Sequence, residues 1–123
     1  MNSERKYDVI VIGAGASGLI AAGRAAHLGA RVLLLEKMRS AGRKLLITGK
    51  GRCNITNDAP QSVFFKNIFP KGRFLKHAFD AFFTDDILQI LNDHGVEIIT
   101  ERGKRIFPVS NNASDVLNAI LQW

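Results

Sequence analysis

The tightest constraint on this chain is a hexapeptide, Gly13-Ala-Gly-Ala-Ser-Gly18, set directly behind the apolar run from Tyr7 to Ile12. That run, YDVIVI, is continuous and rich in β-branched residues, the pattern of a strand buried on both faces of a parallel sheet. The glycines end it. Small and apolar residues then extend from Leu19 to Leu28 and stop at Gly29, as a helix C-terminus would. Arg31 to Leu35 is a second apolar run, closed by Glu36. Strand, helix and strand within roughly thirty residues make one βαβ unit. They predict an α/β fold of the Rossmann-like, dinucleotide-binding kind.

Glycine-rich hexapeptides are common by chance, so the context has to carry the reading. Here the motif follows a strand, opens a helix, and is answered by an acid, Glu36, 23 positions after Gly13. Gly13 permits the tight turn out of the strand. Gly15 lets backbone approach a diphosphate without a Cβ in the way, and Gly18 allows the helix to pack closely on the sheet, with Ala22 keeping that contact small. The helix N-terminus offers unpaired N–H groups and a partial positive charge. Glu36 would accept hydrogen bonds from ribose hydroxyls and repel a 2′-phosphate, which favours FAD or NAD over NADP.

The formal charge of +6 is concentrated: Lys37 to Lys76 holds ten Lys or Arg and one acid, Asp58. Residues 37–60 lose all periodicity and read as a long basic loop, which calls for a functional explanation. Within it Arg43, Lys44, Lys50 and Arg52 gather four cations beside the expected diphosphate site, where attraction in a partly dry pocket far exceeds its value in water. Gly49 and Gly51 would let main-chain amides face a ligand, and Cys53, Asn54 and Thr56 add short polar groups. The single cysteine, Cys53, excludes an intrachain disulfide framework and fits a reducing compartment, so a cytoplasmic location is expected. Val9 to Ile12 is too short for a signal-peptide core or a membrane span.

Residues 61–123 read as helices and short strands. Phe74, Leu75, Ala78, Phe79, Phe82 and Phe83 fall at helical spacing on one face and are assigned to packing. Thr84 can cap a second helix, with Asp85 and Asp86 in its first turn and Gly95 beyond its end. Val96 to Thr100 and Arg105 to Val109 read as two strands around Gly103, and Pro108 puts the second at a sheet edge. Ser110 to Trp123 reads as a last helix with Val116, Leu117, Ile120 and Leu121 on its apolar face. His27, His77 and His94 stand singly, without metal-type spacing.

Three stretches carry a resemblance: VIGAGASG with Glu36-Lys37, GRKLLITGKGRCNITN, and GKRIFPVSNNASDVLNAIL from Gly103 to Leu121. Together they resemble the bacterial FAD-dependent oxidoreductases that include aminoacetone oxidase-like and dehydro-bile-acid reductase-like (BaiN-type) proteins, flavoproteins with two dinucleotide-binding-type folds. The resemblance spans nearly the whole chain, and its middle motif is the most specific. Family members often have Ser-Gly-Gly-Gly where this chain has Thr48-Gly49-Lys50-Gly51. The resemblance implies a bound FAD with its diphosphate on Gly13, Ala14, Gly15, Ala16, Ser17 and Gly18, and its adenosine ribose on Glu36, followed by Lys37. Arg43, Lys44, Thr48, Gly49, Gly51, Arg52, Cys53 and Asn54 would run along the cofactor, with Arg52-Cys53-Asn54 nearest the flavin ring. Without a CxxC partner, Cys53 reads as a packed residue rather than a redox thiol.

The resemblance also implies a much longer protein, in which later segments complete the sheet, add a substrate domain and return a glycine-rich stretch to the flavin. The 123 residues are then an N-terminal segment whose partners are the remainder of its own chain, a small-molecule substrate and NAD(P)H, with neither nucleic acid nor membrane involved. The expected activity is hydride transfer through FAD from a reduced nicotinamide or an amine-type donor. No general acid or base stands out, and the segment alone is expected to be inactive. Two other readings compete. One is a nucleic-acid-binding module using residues 37–76, with Phe64, Phe65 and Phe69 as stacking surfaces. The other is an NAD-linked dehydrogenase with the same βαβ start, which has no use for the GRKLLITGKGRCN stretch.

Overall fold

A β-branched strand that cannot bond to itself needs a neighbour, and the crossover helix supplies one. In the computed structural model, which describes residues 6–123, β1 (Val9–Ile12) and β2 (Val32–Leu35) pair in parallel, from Val9 opposite Val32 to Ile12 opposite Leu35. The helix α1 (Ala16–His27) connects them and packs Leu19 and Ala22 inward. The Rossmann-like α/β reading therefore holds for the N-terminal unit. Only one face of this two-stranded sheet is covered among the described residues. Ile10 and Ile12, which alternate with the half-buried Val9 and Val11, are 58% and 85% exposed. The sequence pattern expects burial on both faces, but α1 covers one and no described element lies on the other.

The basic segment is not the loop its composition suggests. It contains α2 (Arg43–Ile47), a 3-10 turn over Thr48–Gly51 and a two-residue strand, β3 (Thr56–Asn57). A helix of five residues spans less than two turns, too few to write a 3.6-residue period into the sequence. Then α3 (Gln61–Asn67) precedes a 3-10 turn over Gly72–Leu75 and α4 (Lys76–Ala81). The expected single phenylalanine face is split by these breaks. Phe64, Phe65, Phe79 and Phe83 form one aromatic cluster, with Phe64 and Phe83 centroids 5.0 Å apart. Phe74 remains 73% exposed, so packing does not account for it.

The next helix, α5 (Thr84–Asp93), begins at the residue expected to cap it, so the cap lies one residue earlier. Phe83 holds the capping position, and its N–H donates to Asp86 Oδ2 at 2.7 Å. Thr84 is instead buried, its hydroxyl 3.1 Å from that of Thr56. The strands β4 (Ile98–Glu101) and β5 (Arg105–Pro108) form an antiparallel pair, and β3 adds to β5 in the order β3-β5-β4. Thus β5 is central, not the edge that Pro108 suggests. Ile106 faces β3, where its carbonyl accepts from Ile55 N–H. Pro108, two residues on, faces the same side beyond the end of β3, where no donor is called for.

Finally, α6 (Ala113–Gln122) starts at Asn112, whose side chain accepts from Ser114 N–H at 3.0 Å. It buries Ala113, Val116, Leu117, Ala119 and Ile120, while Leu121, expected inside, is 53% exposed. Those residues join Leu19 of α1, Leu45 of α2 and Leu91 of α5 in one core. Trp123 closes on Gly23 of α1, where an added Cβ would lie 2.6 Å from the indole. The last helix is thereby locked against the first.

Candidate cofactor site

Where β1 and β2 end, the chain turns into two helices that start side by side, and a cleft of about 710 Å³ opens between them. Ala14 is the hub. Its N–H donates to Glu36 Oε2 at 2.8 Å, and its carbonyl accepts from Gly42 N–H at 2.7 Å. The first bond ties the glycine turn to the end of β2, and the second ties it to the start of α2. The side chain of Ala14 is buried, so the residue acts through its backbone alone.

Two of the motif glycines differ sharply in what surrounds them. At Gly18 an added Cβ would stand 1.8 Å from Gly13 O and 3.6 Å from Val11 Cγ1, so the helix lies directly against the backbone of the turn that leaves β1. At Gly15 nothing lies within 4 Å of the Cβ position, and the backbone, at φ −80°, is open to any residue. No protein atom demands a glycine at Gly15, which lines the cleft at the N-terminus of α1. That terminus has no side-chain cap. Its N–H groups therefore remain available to an anion.

Ten of the residues expected at the site line the cleft: Ala14, Gly15, Ala16 and Ser17 from the glycine turn, Glu36 after β2, Arg43 and Lys44 on α2, and Thr48, Cys53 and Asn54 beyond it. Gly13, Gly18, Lys37, Gly49, Gly51 and Arg52 do not. Both oxygens of Glu36 already accept main-chain N–H groups, from Ala14 and from Met38 at 2.8 Å each. The Met38 and Ala14 bonds hold its carboxyl below the usual carboxylate range. It stays ionised, with a lone pair left on each oxygen for a hydroxyl. Cys53 is buried, and burial pushes its thiol up, away from the thiolate a redox role would need. Arg52 spends its guanidinium on Glu101, Asn111 and the Phe107 ring, away from the ligand role expected of it.

Part of the cleft was not legible as site. Ile87 of α5 and Val116 and Ile120 of α6 supply an apolar wall, and Ile20 of α1 adds to it. In the sequence these residues look like core, because an apolar helix face reads the same whether it meets a neighbour or a ligand ring. Gly42 and Met38 also line the cleft, and only the hydrogen bonds to Ala14 and Glu36 explain their place. Among the described residues no cluster of His, Cys, Asp or Glu could hold a metal ion, and no helix is long and apolar enough to cross a membrane.

A bare glycine at a helix N-terminus, two cations on the opposite lip, an ionised acid after the second strand and an apolar wall suit a dinucleotide with a large ring. Known proteins agree with that geometry. Over residues 7–123 the chain matches the family described as HI0933-like protein Rossmann domain. It is 37% identical over 91 residues to a ribosomal RNA dihydrouridine synthase of Escherichia coli, an alignment covering 74% of this chain and 22% of that protein. It is 35% identical over 112 residues to a 3-dehydro-bile acid delta(4,6)-reductase of Clostridium scindens, covering 89% of this chain and 27% of that one. A ribosomal RNA dihydrouridine synthase of Haemophilus influenzae is 33% identical over 87 residues, or 71% and 21% of the two chains. The chain thus spans about a quarter of the length of these curated relatives. It belongs to the HI0933-like family of flavin-dependent oxidoreductases, carries that family's Rossmann domain, and has FAD as its cofactor.

Proposed function

We propose that residues 7–123 grip the FAD of an enzyme that reduces a conjugated carbon–carbon double bond, with hydride drawn from a reduced nicotinamide or an amine-type donor. The observation that carries the reading is Gly15, a cleft-lining glycine that the protein's own packing does not require. Bound FAD supplies the two-electron chemistry, and the protein supplies placement and electrostatics. In this reading Gly15, Ala16 and Ser17 present N–H groups to the diphosphate, and Arg43 and Lys44 neutralise it from α2. Glu36 accepts the adenosine ribose hydroxyls, while Thr48, Cys53 and Asn54 run toward the flavin ring and the Ile87, Val116 and Ile120 wall excludes water.

The acceptor class follows from the relatives' names. A dihydrouridine carries two added hydrogens on the uracil ring, and a delta(4,6)-reductase saturates ring double bonds. Both are reductions of an unsaturated ring, one in RNA and one in a steroid. We assign this chain the shared step and leave to the rest of the protein the choice of ring. The bare face of β1, with Ile10 and Ile12 exposed, is assigned to helices from the rest of the protein, as a parallel sheet covered on both faces needs. The test is the native gene product, isolated under conditions that keep bound cofactors and weighed intact. One FAD per chain, lost in the Gly15→Glu variant that puts bulk and negative charge in the cradle, is the expected result. NAD in its place would favour the dehydrogenase reading, and retained yellow colour in Gly15→Glu would sink the assignment of the cradle.

A further inference from the structure

The turn after α2 is an unusual piece of backbone. Lys50 and Cys53 both have left-handed φ, 57° and 61°, without being glycine, and Gly49 and Gly51 flank Lys50 with positive φ of their own. Side chains with a Cβ adopt this region only where their surroundings force them to. Two hydrogen bonds within the turn, Arg52 N–H to Gly49 O and Cys53 N–H to Thr48 O, close it but do not fix where it sits.

What fixes it is Arg52. Its Nε donates to Asn111 Oδ1 at 2.7 Å, Nη1 donates to Glu101 Oε2 at 3.3 Å, and Nη2 closes the fork on Glu101 Oε1. The guanidinium carbon lies 4.1 Å from the centroid of the Phe107 ring. The same ring backs the turn, since a Cβ on Gly49 would stand 3.1 Å from Phe107 Cε1. Arg52 thus uses its planar fork, its charge and its stacking face at once, on partners from β4, β5 and the approach to α6. The residues on either side of it in the turn, Thr48, Cys53 and Asn54, line the cleft, and Arg52 does not.

We infer that Arg52 is a positioning residue, clamped by Glu101, Asn111 and Phe107, which holds the Thr48–Asn54 turn in its left-handed course so that Thr48, Cys53 and Asn54 face the cofactor. This rests on the reading of the cleft as the FAD site. It assigns to the antiparallel sheet, far from the glycine turn in sequence, the task of shaping the flavin end of that site. Glu101 does not line the cleft. Its removal must therefore reach the cofactor only through Arg52.

The test uses the native gene product with three variants: Arg52→Lys, which keeps the charge and loses the fork, Glu101→Gln, and the double variant. Three quantities are read: FAD affinity by flavin fluorescence, the visible circular dichroism of bound flavin, and the labelling rate of Cys53 by a maleimide, followed by peptide mass in the flavin-free protein. Each single variant is expected to weaken FAD on the order of tenfold, as loss of a charged hydrogen bond does. Each should also shift the dichroism in the same direction and speed Cys53 labelling, and the double variant should be no worse than the singles. A Glu101→Gln protein with wild-type affinity, dichroism and labelling would overturn the clamp, as would full additivity in the double variant. If Glu101→Gln does not fold, Asn111→Gly removes an acceptor while keeping the positive φ of that residue. The same three shifts are expected there, and their absence overturns the proposal equally. A wild-type product that carries no FAD and takes none up would instead defeat the reading of the cleft, a result distinct from unchanged Cys53 labelling.

Discussion

Two alanine substitutions three residues apart should have opposite profiles. Gly18→Ala places a methyl 1.8 Å from Gly13 O. That atom is backbone in the turn between β1 and α1, so it cannot swing aside. To restore ordinary contact α1 must back away from the turn by roughly 1.6 Å or more, in an interior packed as densely as an organic crystal. The gain of about 1 kcal/mol in helix propensity from glycine to alanine does not offset this. The cost lies at or beyond the upper end of the ~1–3 kcal/mol seen for overpacked sites. Gly15→Ala meets no atom within 4 Å and has φ −80°. Its cost to the apoprotein is no more than the ~1 kcal/mol that separates alanine from a good capping residue.

For the cofactor the order changes. The Gly15 methyl points into the space the diphosphate is assigned and displaces it from at least one N–H donor. A hydrogen bond to a charged group is worth about 1.5–3 kcal/mol. The expected loss in FAD affinity is therefore about 10- to 150-fold. The assay pairs urea denaturation of the flavin-free proteins with FAD titrations followed by fluorescence quenching. Gly15→Ala should lose no more than about 1 kcal/mol of stability and bind poorly, while Gly18→Ala should fail on both counts. Wild-type affinity in Gly15→Ala would refute the argument that its missing side chain serves the ligand. Equal destabilisation by both substitutions would refute the assignment of only one of them to helix–strand packing.

Other perturbations test separate parts of the structure. Glu36 has a carboxyl held below its ordinary value near 4.5 by the Met38 and Ala14 N–H groups. The unfolded chain then binds the proton more readily, so this stabilisation is complete above about pH 4.5 and fades as the pH falls below it. Glu36→Gln should flatten the fall of the urea midpoint below about pH 4.5, and an unchanged acid limb would count against the Ala14 bond. Leu91 is fully buried at the centre of the core. Leu91→Ala should cost about 2–5 kcal/mol in denaturant titrations, and less than about 1 kcal/mol would mean that α5 is not a core helix. Gly42→Ala combines a φ of +67° with a Cβ 2.5 Å from Leu117. It should lower the melting temperature and loosen α2 from Ala14, read as faster amide exchange at Gly42 and Leu46.

How far the sequence reaches depends on how local each determinant is. The β1, α1, β2 unit is legible because strand, glycine turn and helix are specified by residues adjacent in the chain. Pro108 misleads for the opposite reason. The rule that proline belongs at an edge is local, but what spares Pro108 a partner is that β3 is only two residues long. Arg52 reads as a cation for an anionic ligand until Glu101, 49 positions away, comes into contact with it. Ala14 carries no side-chain signal at all, and its two cleft-shaping bonds go through backbone atoms.

The basic segment shows the same separation, and it yields a last test. Ten cations against one acid between Lys37 and Lys76 suggest a polyanion. The structure spends Arg52 on Glu101 and pairs Lys76 with Asp80. Arg43 and Lys44 are the cations that line the cleft. Of the three stacking surfaces the nucleic-acid reading needs, Phe64 and Phe65 are taken up in the cluster with Phe79 and Phe83, while Phe69 stays 94% exposed. A polynucleotide bound through most of the ten charges would release about 0.7–0.9 counterions per contacted phosphate, and its affinity would fall steeply with salt. FAD held by Arg43, Lys44 and helix N–H groups in a partly enclosed cleft is screened much less. The affinity for FAD should therefore fall by only a few-fold between about 50 and 200 mM salt, against about a thousandfold or more for a protein making six or more phosphate contacts. A steep salt dependence for FAD would mean that the exposed lysines outside the cleft hold the ligand, and the cradle built on Ala14 would lose its claim to it.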